Sequence, residues 1–104
     1  MKEITALELK TMLESNKNIT LIDVREPYEH EEYNIGGLLI PLADIPYSAD
    51  RIKEFGETTL VLYCRSGNRS TMAQKLLSLQ SGITNTLNLK GGLLAWKEMQ
   101  RSNE

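Results

Sequence analysis

The sequence predicts an α/β fold built on a mainly parallel sheet of about five strands, with helices on both faces. Three observations carry that prediction. Short runs rich in β-branched and apolar residues alternate with segments of helical periodicity from end to end. The run Ile19 to Val24 (ITLIDV) has the near-continuous apolar character of a strand buried on both faces, and Thr58 to Tyr63 (TTLVLY) is the clearest strand of the chain. No repeat and no linker interrupts the alternation, so the 104 residues are expected to form one domain over 1–104, with 101–104 a frayed tail.

In chain order, Thr5-Ala6-Leu7-Glu8 is a capping box that starts a helix. Leu9, Met12 and Leu13 follow at helical spacing, and Asn16-Lys17-Asn18 is expected to end the element. After the strand at Ile19–Val24, Pro27 opens a polar helical turn through Tyr33, since proline suits the first helical position. Gly36-Gly37 breaks it, and Leu38 to Leu42 is expected to be a short strand ended by Pro41. Pro46 punctuates a loop, and Ala49 to Phe55 has a weak helical pattern. Beyond Thr58–Tyr63, a polar loop from Cys64 to Arg69 leads into a helix over about Ser70 to Ser81, with Gly82 as its C-terminal cap. Thr86 to Leu89 is a last short strand, Gly91-Gly92 a turn, and Leu93 to Gln100 a closing helix.

Composition narrows the function. About 40% of the residues are apolar and 25% charged, with a net charge of −2 and both signs interspersed. That is an ordinary water-soluble profile without the basic face that nucleic acids require. The start, Met-Lys-Glu-Ile-Thr, shows no signal segment, no lipidation motif and no apolar run long enough for a bilayer. A single cysteine cannot form an intramolecular disulfide, and one Cys with one His cannot make a structural zinc site. The cytoplasm is the expected compartment, with no membrane and no nucleic-acid partner.

The chemistry concentrates at Cys64. A lone cysteine after an apolar strand is most often a small buried hydrophobe. Three features of its surroundings favour a reactive thiolate instead. Cys64 is the first residue past a strand, on the sheet edge where α/β proteins bind ligands. Gly67 and Asn68 tolerate positive φ, so the loop can curl its N–H groups inward above a helix start. Arg65 and Arg69 add two permanent cations. Such surroundings lower a thiol from about 8.5 to roughly 3.5–7.5. Only four residues, Arg65 to Asn68, separate Cys64 from Arg69. A phosphate-cradling loop of the cysteine phosphatase kind has one more, and no acid in this loop could serve as general acid. The tighter ring suits one extra sulfur on the cysteine, and phosphate hydrolysis is a poor second choice.

The chain resembles the single-domain rhodaneses, thiosulfate sulfurtransferase-type proteins, in four ordered blocks. They are Ile22-Asp23-Val24-Arg25-Glu26 with Glu29; Tyr33-Asn34-Ile35-Gly36-Gly37; Cys64 through Ser70; and Asn88-Leu89-Lys90-Gly91-Gly92 with Trp96. The resemblance implies a ping-pong sulfur transfer. Cys64 is the nucleophile and persulfide carrier, and Arg65, Ser66, Gly67, Asn68, Arg69 and Ser70 bind the substrate. The partners implied are a small anionic donor such as thiosulfate and a thiol or protein acceptor, with cyanide as acceptor in vitro. No metal or organic cofactor is implied. Two positions depart from the family pattern, Asn34 where a His is common and Leu38 where an Ala is common. A sulfur-relay or binding module with little free-standing turnover is the alternative. A purely structural domain of this type often lacks the cysteine.

The remaining candidates have blander expectations. Asp23 and Arg25 are expected in a buried ion pair or in loop-bracing hydrogen bonds, with Glu26 or Glu29 as partners of Arg25. Asp44 is expected at the surface. His30, among Glu29, Glu31 and Glu32, is expected to be a solvated surface residue. Leu93, Leu94 and Trp96 are expected to anchor the last helix in the core. Ser66 and Ser70 can donate to a bound anion, and Ser70 can also serve as a helix N-cap.

Overall fold

Alternation along the central strand sets the architecture. In β4 (Thr59–Tyr63) Leu60 and Leu62, continued by Cys64, turn to one face of the sheet, while Val61 and Tyr63 turn to the other. Each set joins a separate apolar cluster, as expected for a strand covered on both sides. The computed structural model, which describes residues 2–15 and 18–102, places β4 at the centre of a five-stranded parallel sheet. β1 (Glu3–Ile4), β2 (Ile19–Asp23), β3 (Leu38–Leu39) and β5 (Thr86–Leu89) complete it, in the order β1-β5-β4-β2-β3.

One face packs Ile22, Leu60, Leu62 and Cys64 against Ile45, Ile52, Ala73 and Leu77, which belong to a 3₁₀ helix (Leu42–Tyr47), α3 (Ala49–Lys53) and α4 (Asn68–Ser81). The other packs Leu21, Val61, Tyr63 and Leu89 against α1 (Ala6–Glu14) and α5 (Gly92–Ser102) through Leu9, Leu93 and Trp96. The fifth helix, α2 (Pro27–Glu32), buries none of its residues and follows the carboxyl end of β2. None of the described helices is long and apolar enough to cross a membrane.

The capping box is present as read: the Thr5 amide donates to Glu8 Oε1 at 2.9 Å and the Glu8 amide to Thr5 Oγ1 at 3.1 Å. Helix α1 ends at Glu14, and the expected Asn16–Lys17 terminator lies outside the described residues. Elsewhere local expectations give way to tertiary pairing. Glu3–Ile4 forms an edge strand with Asn88–Leu89, too short for any alternation to announce it. The expected strand at Leu38–Leu42 stops at Leu39, and Leu42 instead opens the 3₁₀ helix, which contains Pro46. Arg101 and Ser102, expected to fray, are the last residues of α5.

Candidate active site

The parallel register brings the ends of β2 and β4 side by side, Asp23 opposite Tyr63, and the Val24 amide donates to the Tyr63 carbonyl at 3.0 Å. Cys64 is therefore held at the carboxyl edge of the sheet, next to the end of β5. The loop after it is fixed from outside: the Cys64 carbonyl accepts from the Leu93 amide at 2.9 Å and the Arg65 carbonyl from the Leu94 amide at 3.1 Å. This docking explains the second glycine of Gly91-Gly92. Gly92 has φ +59°, and a Cβ there would overlap the carbonyls of Cys64 and Arg65.

Gly67 turns the loop with φ +101° and closes it into α4. Asn68, expected to share that role, is the first residue of the helix, which starts two residues before the expected Ser70. The earlier start moves Ser70 from the cap into the first turn, with its side chain fully buried against the thiol. Cys64 Sγ accepts from the Gly67 amide at 3.1 Å and lies 3.4 Å from Ser70 Oγ. Burial pushes the Cys64 thiol up, but the hydroxyl and amide of Ser70 and the amides of Gly67 and Ser66 outweigh it, and the thiol sits below its ordinary range. Cys64 is only 1% exposed. Burial, the bland expectation, thus coexists with a thiol lowered by the donors around it.

Ser70 Oγ also reaches the Gly67 carbonyl at 3.2 Å and Asn88 Oδ1. One hydroxyl proton thus has three acceptors within reach, and ionising Cys64 turns the balance toward sulfur. Asn88 Nδ2 in turn donates to Thr71 Oγ1 at 3.0 Å. Asn88, a buried residue of β5, was quoted in the fourth block of the resemblance but given no role. Its place beside Ser70 depends on strand pairing that local sequence does not display.

The two loop cations have different environments. Arg69 makes a bidentate pair with Glu29 of α2, at 2.6 and 2.9 Å. The Arg69 hydrogen bonds hold the Glu29 carboxyl down to about 2, while Glu29 raises Arg69. Arg65 is exposed and has no ionic partner among the described residues. Ser66 and Asn68 are also exposed. Clefts flank the loop on both sides. One of about 310 Å³ is bounded by Arg65, Tyr28, Tyr33 and Lys97, and one of about 340 Å³ by Arg69, Glu26 and Leu42.

Beneath α2 lies a buried polar cluster. Asp23, fully buried, accepts from Arg25 Nε at 2.9 Å, from Arg25 Nη2 at 2.8 Å and from the Arg25 amide at 3.0 Å. The ion pair was expected; the direct contacts of Arg25 go to Asp23, two residues away, and Glu29 acts on Arg25 by charge at longer range. Arg25 also donates to the Tyr33 carbonyl at 2.5 Å. His30 is not a solvated surface residue: its Nδ1 lies 2.8 Å from Asp23 Oδ2, and the ring is 24% exposed. The buried carboxylate has acceptor capacity left over after Arg25 and draws the ring inward. Asn34 shapes the turn that follows, taking the Gly36 amide on Oδ1 at 2.9 Å and giving Nδ2 to the His30 carbonyl at 2.8 Å. Leu93 and Trp96 are buried as expected, but Leu94 is 46% exposed because it faces the cleft beside Arg65. Asp44 is at the surface.

Comparisons with known proteins converge on one family. Residues 5–99 match the model of the rhodanese-like domain. A Mycobacterium tuberculosis protein named "Probable adenylyltransferase/sulfurtransferase MoeZ" is 38% identical over 99 residues, covering 93% of this chain and 25% of its own length. The chain thus spans a quarter of that relative. A protein of Allochromatium vinosum named "Sulfurtransferase" is 35% identical over 97 residues, covering 92% of this chain and 88% of its own. The crystal structure of a rhodanese-like domain protein from Staphylococcus aureus superimposes with a TM-score of 0.77 at 34% identity, covering 92% and 91% of the two chains.

Proposed function

The chain belongs to the rhodanese-like domain family, and on that premise we propose that it moves a sulfane sulfur from an anionic donor such as thiosulfate to a thiophilic acceptor through a persulfide on Cys64. The observation that carries the reading is the Cys64 thiol held below its ordinary range by inward-facing donors, with no acid or base beside it in the loop. Sulfur transfer needs a thiolate at the start and at the end, and no proton has to move between.

In the first half-reaction Cys64 Sγ attacks the outer sulfur of thiosulfate. The new S–S bond forms as the donor's own S–S bond breaks, and the electron pair leaves with sulfite. The amides of Ser66, Gly67 and Ser70 that face Sγ are suited to stabilise the terminal persulfide sulfur. Arg65 is the cation free to meet the incoming dianion, while Arg69, braced by Glu29, contributes fixed positive charge beside it. In the second half-reaction an acceptor nucleophile attacks the terminal sulfur, and the bonding pair returns to Cys64. With cyanide the product is thiocyanate.

Intact-mass spectrometry of the reduced protein after incubation with thiosulfate tests this directly. The expected result is a gain of one sulfur atom on Cys64, removed by cyanide with release of thiocyanate over many turnovers. Cys64→Ser takes up no sulfur, because a hydroxyl cannot carry a sulfane. Loading of the Cys64→Ser variant equal to wild type overturns the mechanism. Loading without turnover favours a relay module that hands its sulfur to another protein. Arg65→Ala raises the thiosulfate concentration needed for half-maximal loading by about three- to tenfold, since one charge-assisted contact to the donor is lost.

A further inference from the structure

The cleft on the Arg65 side of the loop has about 310 Å³, far more than a donor as small as thiosulfate fills. Its floor is bonded to the candidate nucleophile's own backbone, through the Leu93 amide on the Cys64 carbonyl and the Leu94 amide on the Arg65 carbonyl. Arg65, the residue that follows Cys64, stands on its rim. The charges of the cleft separate into two groups. Arg25 is neutralised by Asp23 and Glu29 by Arg69. Arg65, Lys97 and Glu32 have no ionic partner among the described residues, two cations against one carboxylate. Lys97 is held over the ring of Tyr33, its Nζ 4.4 Å from the centroid, so its position is set without neutralising it. The walls between these charges are apolar: Tyr28 is 65% exposed and Leu94 46%.

Building on the sulfur-transfer reading, we propose that this cleft is the acceptor subsite and that Lys97, together with Arg65, selects thiols carrying one carboxylate on a short apolar chain. The carboxylate meets the net single positive charge, and the chain lies on Tyr28 and Leu94. The acceptor thiolate then attacks the terminal sulfur of the Cys64 persulfide. A sulfur–sulfur bond forms to the acceptor, the bond to Cys64 Sγ breaks, and its electron pair regenerates the Cys64 thiolate. Lys97 is exposed on α5, so its replacement does not threaten the fold.

The test is single-turnover unloading. Protein loaded from thiosulfate and desalted is mixed with 3-mercaptopropionate or with the neutral 2-mercaptoethanol, and loss of the sulfur from Cys64 is followed by mass. Intrinsic thiol reactivity cancels when the ratio of the two second-order rate constants is compared between variants. In Lys97→Met the preference for the carboxylate falls about three- to fivefold, the size of one exposed ionic contact, while Lys97→Arg retains it. Raising ionic strength lowers the wild-type ratio in the same direction. An unchanged ratio in Lys97→Met, with loading intact, overturns the subsite and leaves sulfur transfer standing. If Cys64 takes up no sulfur at all, the proposed function falls and the subsite falls with it.

Discussion

A fully buried thiol ionises readily only where its charge is met locally, and Cys64 meets that condition chiefly through Ser70, Gly67 and Ser66, with Arg69 adding positive charge at longer range. A lowered thiol pKa means that the reactive fraction rises with pH and levels off earlier than for an ordinary cysteine. Alkylation by iodoacetamide followed against pH should therefore reach its plateau below the range of a free thiol. Ser70→Ala removes the largest of the stabilising contacts, moves the profile to higher pH and slows alkylation at pH 7 by about three- to tenfold. A profile unchanged by Ser70→Ala would show that the amides alone set the thiol. The loop after Cys64 and its turn at Gly67 were legible in the sequence because they are close together in the chain, whereas the helix begins at Asn68, two residues ahead of the expected Ser70. Asn88 was not legible, since it reaches Ser70 from another strand, eighteen residues away.

The loop depends on two elements that dock against it from opposite sides. Helix α2 reaches it through Glu29, whose partner Arg69 lies forty residues further along the chain, so neither charge pattern nor spacing could have paired them. Glu29 titrates lower in the folded protein, so its contribution is fully present above its unfolded value of about 4.3 and is lost as pH falls toward about 2. Glu29→Gln should lower stability at neutral pH by about 0.5–1 kcal/mol, a modest figure because Arg69 is partly solvated. The difference from wild type, measured by urea unfolding, should vanish over that acid range. A gap that persists at the acid limit would assign the loss to packing. Helix α5 docks through Gly92, and here the sequence was more informative: Gly91-Gly92 marked a turn, though not that a backbone closes on it. Gly92→Ala combines a positive φ with overlap on two carbonyls and should cost about 2–4 kcal/mol while slowing sulfur loading. Wild-type melting and loading in that variant would mean that α5 can shift without disturbing Cys64. The short edge strand β1 and the 3₁₀ helix were illegible for a related reason: each is fixed by what it packs against, with too few residues for a period of its own.

At the scale of the whole molecule the strands converge on a polar knot that the apolar pattern conceals. Asp23 ends β2 with its carboxylate fully buried, and it binds Arg25 by three hydrogen bonds and His30 by one. Arg25 carries the tie to the Tyr33 carbonyl, and its guanidinium stands 5.9 Å from the centre of the Tyr63 ring. The Tyr63 hydroxyl continues it, donating to the Gly36 carbonyl at 2.9 Å. The cluster joins β2, β4, α2 and the turn before β3 at the same end of the sheet that presents Cys64. Desolvation makes such a pair a weak source of net stability while it is intact, but removing one partner leaves a buried charge uncompensated. Asp23→Asn keeps the shape and deletes the charge facing Arg25, which is only 6% exposed. The expected loss is about 3–5 kcal/mol, a large share of the roughly 5–15 kcal/mol that holds a domain of this size together. Urea unfolding should report it as a fall in midpoint with an unchanged slope, since the surface exposed on unfolding stays the same. A loss below about 1 kcal/mol would mean that water reaches Arg25 and that the knot is a solvated contact. A changed slope would place the effect in the unfolded chain or in a loosened native state. The full loss would identify the Asp23–Arg25 pair as the element that fixes α2, and with it Glu29 and Arg69, against the cysteine loop.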